Sequence, residues 1–261
     1  MIGLFLGDTD FSEAVLKNIK KLKKKYFIID FSRNFKFKKN KYAHRISIGK
    51  FGKILSLINE KKSKKVLFAG KILKPSFSTL SLDFKGIYYM PSVIQAARKG
   101  DAAIIKAIIK ILNKEGIKVI SSISFNPELA LKAGNYSKQK PNREDLVSIK
   151  KGIKYFNKSN ELDHVQALVV NDGKIVAKEG MGGTRKMLIK LKKKTKGVLI
   201  KFPKKKQDLR MDLPTIGLQT LKDCKKYGLK GIVLKSKKNI ILDKVKCIQF
   251  ANKNQIFIKS I

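Results

Sequence analysis

The chain opens on an uninterrupted apolar run, Ile2-Gly3-Leu4-Phe5-Leu6, that stops at Gly7-Asp8-Thr9-Asp10. A run of that length bounded by turn residues predicts a strand buried on both faces. Behind it Ala14, Val15, Ile19 and Leu22 recur at helical spacing, which predicts a helix over 12–24. The alternation continues with a strand over 26–31 and a helix over 51–61 that carries Ile54, Leu55 and Ile58 on one face. A strand over 65–69 then runs into Gly70, followed by a long helix over 92–114 and a strand over 117–122. Such alternation predicts a parallel sheet covered by helices. Ligands of these sheets sit beyond the carboxyl ends of the strands, so the loops at Gly7 and Gly70 are the first candidates for contact with a ligand.

The pattern changes after residue 130. Residues 133–143, AGNYSKQKPNR, hold turn formers and few apolar positions and read as a linker. A helix over 144–157 is expected next, then strands over 167–170 and 174–177 joined by Asn171-Asp172-Gly173, a strong hairpin signal. A helix over 184–193, a strand over 197–202, a loop over 203–212, a helix over 215–226 and a strand over 231–234 complete the pattern. The expected fold is α/β: a Rossmann-like parallel-sheet N-terminal domain over 1–132, the linker, and a mixed α+β C-terminal domain over 144–261.

Composition narrows the class. Hydrophobic residues make up 43% of the chain, enough for a core, which excludes global disorder. Cys224 and Cys247 are too few for a disulfide framework and fit a reducing cytosol. No apolar run approaches the ~18–20 residues that span a bilayer, so a soluble, cytoplasmic chain is expected. The formal charge is +41, yet only six of the 60 basic residues are Arg. Nucleic-acid binders favour Arg, whose planar fork pairs bidentately with phosphates and bases. The Lys runs are also scattered along the whole chain. That distribution reads as compositional bias on solvated faces, and no specific nucleic-acid partner is expected.

Three segments offer chemistry. Residues 201–217, KFPKKKQDLRMDLPTIG, place Asp208, Arg210 and Asp212 at alternate positions between two prolines. On an extended loop all three heads would point one way. Two carboxylates and an Arg then suit a Mg²⁺ shared with substrate phosphates. The competing reading makes Asp212 the N-cap of a helix started by Pro214. Second, Gly100-Asp101 interrupts a helical pattern, so Asp101 either caps the second half or, with Arg98, contacts phosphate or ribose. Third, Gly182-Gly183-Thr184-Arg185 is a short phosphate-cradle candidate without the Walker spacing. His44 and His164 stand apart from any cysteine pattern, so neither zinc nor a His-dependent triad is supported. The two cysteines read as core.

Taken in order, Ile48-Gly49-Lys50-Phe51-Gly52-Lys53, Phe68-Ala69-Gly70-Lys71-Ile72-Leu73-Lys74-Pro75, Ala97-Arg98-Lys99-Gly100-Asp101 and Arg210-Met211-Asp212-Leu213-Pro214-Thr215-Ile216-Gly217 carry a family resemblance. The chain resembles the LpxI-type UDP-2,3-diacylglucosamine pyrophosphatases of lipid A biosynthesis from first strand to last. The R-x-D-L-P-T-I-G segment is the most specific part of the match. The resemblance implies two α/β domains with the lipid product bound between them. It also implies Mg²⁺-dependent hydrolysis of UDP-2,3-diacylglucosamine to UMP and 2,3-diacylglucosamine 1-phosphate, with Asp212 essential. Asp212 and Asp208 are then the expected metal ligands. Gly7, Asp8, Gly70, Lys71, Arg98, Asp101, Gly183, Thr184, Lys201, Gln207, Arg210 and Thr215 are the expected substrate contacts. The acyl chains need an apolar groove, for which Phe77, Leu80, Leu82, Ile87, Tyr88, Tyr89 and Met90 are candidates. The implied partners are the UDP-linked diacyl glucosamine and the anionic cytoplasmic face of the inner membrane. The chain departs from the family pattern where the glycine-rich loop after the first strand keeps only Gly7, followed by Asp8-Thr9, and where the F-A-G-N/H-type segment carries Lys71. It departs again where E-G-T-D becomes Gly182-Gly183-Thr184-Arg185 and where G-D-D becomes Gly100-Asp101-Ala102. Two other readings stay open: a non-enzymatic binder of RNA or anionic lipid, and a degenerate relative that holds lipid without turnover.

Overall fold

The first apolar run forms β1 (Ile2–Leu6), the central strand of a five-stranded, all-parallel sheet. The computed structural model describes every residue except 74–75, 159–164, 181 and 205–206, and only the backbone at Asp101 and Lys158. Lys74-Pro75 and His164 therefore lie outside the described residues, as does the Asp101 side chain. The chain divides into two units, Met1–Pro127 with Asp208–Asp212, and Glu128–Gln207 with Leu213–Ile261.

In the first unit β1 is followed by α1 (Asp10–Lys21), β2 (Tyr26–Asp30), β3 (Ala43–His44), α2 (Phe51–Glu60) and β4 (Lys65–Ala69). Then come α3 (Phe84–Arg98), α4 (Asp101–Lys114) and β5 (Lys118–Val119). Strand order is β3-β2-β1-β4-β5, the arrangement expected of a Rossmann-like half. Alternate strand residues serve opposite faces. Phe5, Phe27, Ile29, Val66 and Phe68 pack against Ile54 and Ile58 of α2 and Ile109 and Leu112 of α4. Leu4, Leu6, Ile28 and Leu67 are fully buried on the other face.

The helical stretch expected over 92–114, with its interruption at Gly100-Asp101, is two helices, and the first begins eight residues earlier. Asp83 caps α3 by accepting a hydrogen bond from the Gly86 N–H at 2.8 Å, and this start overrides the weak helix propensity of Gly86 and Pro91. The break sits at Gly100, whose φ of +105° suits glycine. Gly100 is the N-cap of α4 and Asp101 its first residue, so Asp101 does not cap the helix.

The second unit begins with β6 (Gly134–Asn135), α5 (Arg143–Lys158), β7 (Ala167–Asn171), β8 (Lys174–Lys178), α6 (Gly183–Ile189) and β9 (Val198–Lys201). It continues with β10 (Thr215–Ile216), α7 (Leu218–Lys226), β11 (Gly231–Leu234), β12 (Ile240–Ile241), α8 (Lys244–Lys253) and β13 (Phe257–Ser260). Six strands form a mixed sheet in the order β6-β13-β11-β9-β7-β8, while β10 and β12 pair separately. One face buries Ala167, Val169, Leu199, Ile232 and Ile258 with Cys224 of α7 and Cys247 of α8. The opposite face buries Leu168, Val170, Ile200, Val233 and Phe257 with Ile149 of α5. Both cysteines are free and buried, as expected of core positions. The β7–β8 hairpin turns through Asp172 and Gly173 at φ +47° and +70°.

Residues 133–143 are not a free linker. Gly134-Asn135 pairs antiparallel with Ser260 and Lys259, and the chain passes from one unit to the other at Pro127–Glu128. The helix expected over 215–226 starts at Leu218 with Gly217 as its N-cap, because Thr215 and Ile216 are taken by the pairing with β12. Asp212 is therefore not a helix cap.

Candidate active site

Beyond the carboxyl ends of β1 and β4 two loops lock together. Gly7 N–H donates to the Ala69 carbonyl at 2.9 Å, and Asp8 N–H to the Lys71 carbonyl at 3.0 Å. The Ser12 hydroxyl lies 2.8 Å from the carbonyl oxygens of both Gly7 and Ala69. This packing requires both glycines. A Cβ on Gly7 would lie 2.2 Å from the Lys71 carbonyl oxygen; on Gly70, at φ +84°, it would lie 2.1 Å from Ser12 Oγ. The Asp8 carboxylate accepts the Arg33 N–H at 2.9 Å and lies 3.7 Å from Arg33 Nε, so it anchors the neighbouring loop.

The same strand ends open on a cavity of about 430 Å³ within the first unit. Its walls are apolar: Phe5 and Phe68 from the sheet, Phe51 from α2, Tyr89 and Met90 from α3, and Ile105 from α4. Among the described lining residues only Lys71 and Asp212 are charged. That combination, an apolar cavity of small-molecule size with few polar groups, is the ordinary form of a ligand pocket. Of the residues expected in an acyl groove, Phe77, Tyr89 and Met90 line the cavity; Leu80, Leu82, Ile87 and Tyr88 do not.

Asp212 reaches this cavity because residues 208–212 belong to the first unit. Met211 packs on the first unit's core, and Ser121 Oγ donates to the Leu209 carbonyl at 3.4 Å. The segment is a turn, closed by Met211 and Asp212 N–H groups on the Asp208 carbonyl at 3.2 and 3.0 Å. The expected extended alternation of Asp208, Arg210 and Asp212 is therefore absent. Asp208 instead grips Arg210, accepting from its backbone N–H at 3.0 Å, from Nε at 2.9 Å and from Nη2 at 2.7 Å. The Arg210 hydrogen bond holds the Asp208 carboxyl below its ordinary range, against an opposing effect of burial. A carboxylate with both oxygens committed to a guanidinium is a poor metal ligand. Asp208 is thus placed as the Arg210 partner. The described residues contain no cluster of three His, Cys, Asp or Glu side chains arranged for a metal. One carboxylate, Asp212, is still compatible with Mg²⁺, which is commonly held by one or two carboxylates together with substrate phosphates.

Arg98, at the end of α3, is exposed. Asp101 is also in the first unit; Gly183, Thr184, Lys201, Gln207 and Thr215 lie in the second, where Lys201, at the end of β9, is buried and donates from Nζ to the Thr184 hydroxyl at 2.9 Å. Glu179, which the sequence reading missed, joins them. Burial raises its carboxyl above the usual range, opposed by the Lys201 charge and by a Thr184 hydrogen bond. Glu179 Oε2 is buried and has no hydrogen-bond partner. The sequence signal for Glu179 was its place directly after β8, an edge strand whose hairpin was legible. Gly183 has φ +79° at the start of α6, and Arg185 turns to Asp223 of α7, with Nε 3.8 Å from Oδ2. Gln207 secures its own loop, its Oε1 accepting from Gln166 Nε2 and from the Lys204 N–H, both at 2.8 Å. Thr215 Oγ1 donates to the Leu213 carbonyl at 2.9 Å.

Fold and site together define a two-unit α/β protein that carries an apolar ligand cavity with one carboxylate and one lysine at its wall. Residues 1–129 match the LpxI N-terminal domain and residues 132–259 the LpxI C-terminal domain. The chain is 33% identical to the UDP-2,3-diacylglucosamine pyrophosphatase LpxI of Caulobacter vibrioides over 223 residues, 82% of this chain and 80% of that protein. The chain belongs to the LpxI family.

Proposed function

We propose that this chain hydrolyses the pyrophosphate bond of UDP-2,3-diacylglucosamine, releasing UMP and 2,3-diacylglucosamine 1-phosphate. One observation carries the reading: in a chain matched to the family across both units, Asp212 of the R-x-D-L-P-T-I-G segment lines an apolar cavity whose wall also carries Lys71. Acyl chains are the apolar part of the substrate, and the cavity gives methylenes a dry environment worth ~0.8 kcal/mol each. Lys71 supplies positive charge for phosphate oxygens, a role that the Asp208 pairing makes less available to Arg210. Asp212 would hold a Mg²⁺, whose charge, when bound, stabilises negative charge building on the phosphate. Hydrolysis takes one water: its oxygen joins phosphorus, the bridging P–O bond breaks, and the proton passes to solvent. Gly183, Thr184 and Lys201 of the second unit remain substrate contacts in this proposal, with Glu179 added to them.

The lipid substrate places the reaction at a cytoplasmic membrane face. No described helix is long and apolar enough to cross a membrane. In this proposal the association is peripheral, favoured by Lys side chains at ~1 kcal/mol each close to anionic lipid.

Purified protein given the UDP-diacyl sugar and Mg²⁺ should release UMP, and chelation should stop the release until Mg²⁺ is restored. Asp212→Asn should slow turnover by roughly 10²–10³-fold, the range for losing one group that stabilises transition-state charge. Equal rates for Asp212→Asn and the natural chain would overturn the assignment. Lipid that co-purifies with the protein, with no turnover under any divalent metal, would favour the degenerate reading suggested by Arg185.

A further inference from the structure

Helix α3 has two apolar faces. Gly86, Tyr89, Met90 and Val93 line the cavity on one. On the other, Phe84, Ile87 and Tyr88 are 87%, 61% and 62% exposed, with Pro91 also exposed. Spacing of i, i+3, i+4 and i+7 aligns these four along one stripe about 10 Å long. An amphipathic helix of a water-surrounded domain would show polar residues there. A cluster of exposed aromatic and aliphatic side chains marks an interaction site. Cations flank it: Lys114 Nζ lies 3.3 Å from the Tyr88 hydroxyl and 5.4 Å from its ring centroid, and Lys85 on the same helix is about half-exposed.

We infer that the outer face of α3 inserts into the headgroup layer of an anionic lipid bilayer. Aromatic and aliphatic side chains flanked by lysines are the composition of a helix that lies in the membrane interface. Charge selects this occupant over a second copy of the chain, because each copy carries +41 and repels the other, while anionic lipid attracts both. The inference deepens the lipid-substrate reading, on which it rests for its purpose: the helix that meets the bilayer is the helix that walls the acyl cavity.

The chain contains no Trp, so single tryptophans report without background. Phe84→Trp and Tyr88→Trp are mixed with phosphatidylethanolamine–phosphatidylglycerol vesicles. Val245→Trp, at an exposed position on α8, is the control. Emission at 84 and 88 should shift to the blue and be quenched by brominated lipid, while the probe at 245 stays water-exposed. Replacing Phe84, Ile87 and Tyr88 together by Ser should weaken vesicle binding roughly tenfold or more, since apolar burial is lost while the lysines remain. Thermal melting checks that this triple variant folds, and the Trp probes test the same face without it. Unshifted emission at 84 and 88 on vesicles that bind the protein would overturn the inference, leaving the lysine surface as the anchor. Self-association without vesicles that the triple variant abolishes would also overturn it, in favour of a second copy. UMP release from detergent-dispersed substrate is measured in parallel: its absence defeats the enzymatic reading and leaves the insertion result standing.

Discussion

Asp83 holds two helix N-termini with one carboxylate. It accepts from the N–H groups of Gly52 and Lys53 at the start of α2, each at 3.0 Å, and of Gly86 in α3 at 2.8 Å. Negative charge suits both ends, where unpaired N–H groups and helix dipoles converge. Burial pushes its carboxyl up, yet the Gly52, Gly86 and Lys53 N–H groups and the Lys50 charge outweigh this and hold it below the ordinary range. Asp83→Ala should cost about 2–4 kcal/mol in urea unfolding, the scale of a lost cap plus charge-assisted hydrogen bonds. The sign with pH follows from the lowered value. The stabilisation is complete above the unfolded carboxylate range and disappears as pH falls through the folded-state value. The variant should therefore lose less stability on acidification than the natural chain. Parallel acid limbs for the two proteins would show that the carboxylate is not the link between α2 and α3.

At the scale of elements, α3 shows what the sequence made legible and what it hid. The buried strands β1, β2, β4 and β9 were legible because strands covered on both faces read as continuous apolar runs. So was the β7–β8 hairpin, from Asp172-Gly173. The start of α3 was not, because its stabilisation is tertiary: Asp83 caps it, and Tyr89 donates its hydroxyl to Glu115, which also binds Lys85 at 2.8 Å. Gly86, Pro91 and adjacent tyrosines conceal such a helix from any local rule. The site divides the same way. Asp212 stood out as a motif residue, but nothing local revealed that Asp208 would turn back onto Arg210 rather than face a metal. The Tyr89–Glu115 link predicts its own signature. The Glu115 hydrogen bond, then burial, pushes the Tyr89 phenol up to about 12. Tyr89 should ionise late in an absorbance titration, and Tyr89→Phe should remove that step. The phenol is held protonated, so its stabilisation is present below the ordinary tyrosine range and is lost as pH rises through about 12. Tyr89→Phe should lower stability at neutral pH by about 1–2 kcal/mol, as expected for a hydrogen bond to a charged acceptor. An unchanged titration curve would assign the late proton elsewhere.

For the whole molecule, charge sets a condition that packing does not. Lysine occupies exposed positions in both units, and the 19 acidic residues cannot neutralise 60 basic ones. Many of the ion pairs involve exposed side chains, such as Lys61–Glu60 at 2.7 Å and Lys230–Glu144 at 3.3 Å, and pairs of that kind contribute ~0–1 kcal/mol. Repulsion among the remaining cations acts over longer distances and favours expanded chains. These two effects respond oppositely to salt. Screening weakens surface pairs and so destabilises, but it also relieves repulsion and so stabilises. With an excess of 41 positive charges, relief should dominate. The melting temperature should rise as sodium chloride increases from about 10 mM to about 150 mM, where the screening length contracts from ~30 to ~8 Å. Sulfate should raise it further, because it is excluded from the surface and strengthens apolar burial as well. The same screening should weaken vesicle attraction, so stability and membrane affinity should move in opposite directions with salt. A melting temperature that falls across this range would mean that the surface ion pairs outweigh the net charge, and that the lysine excess is locally compensated after all.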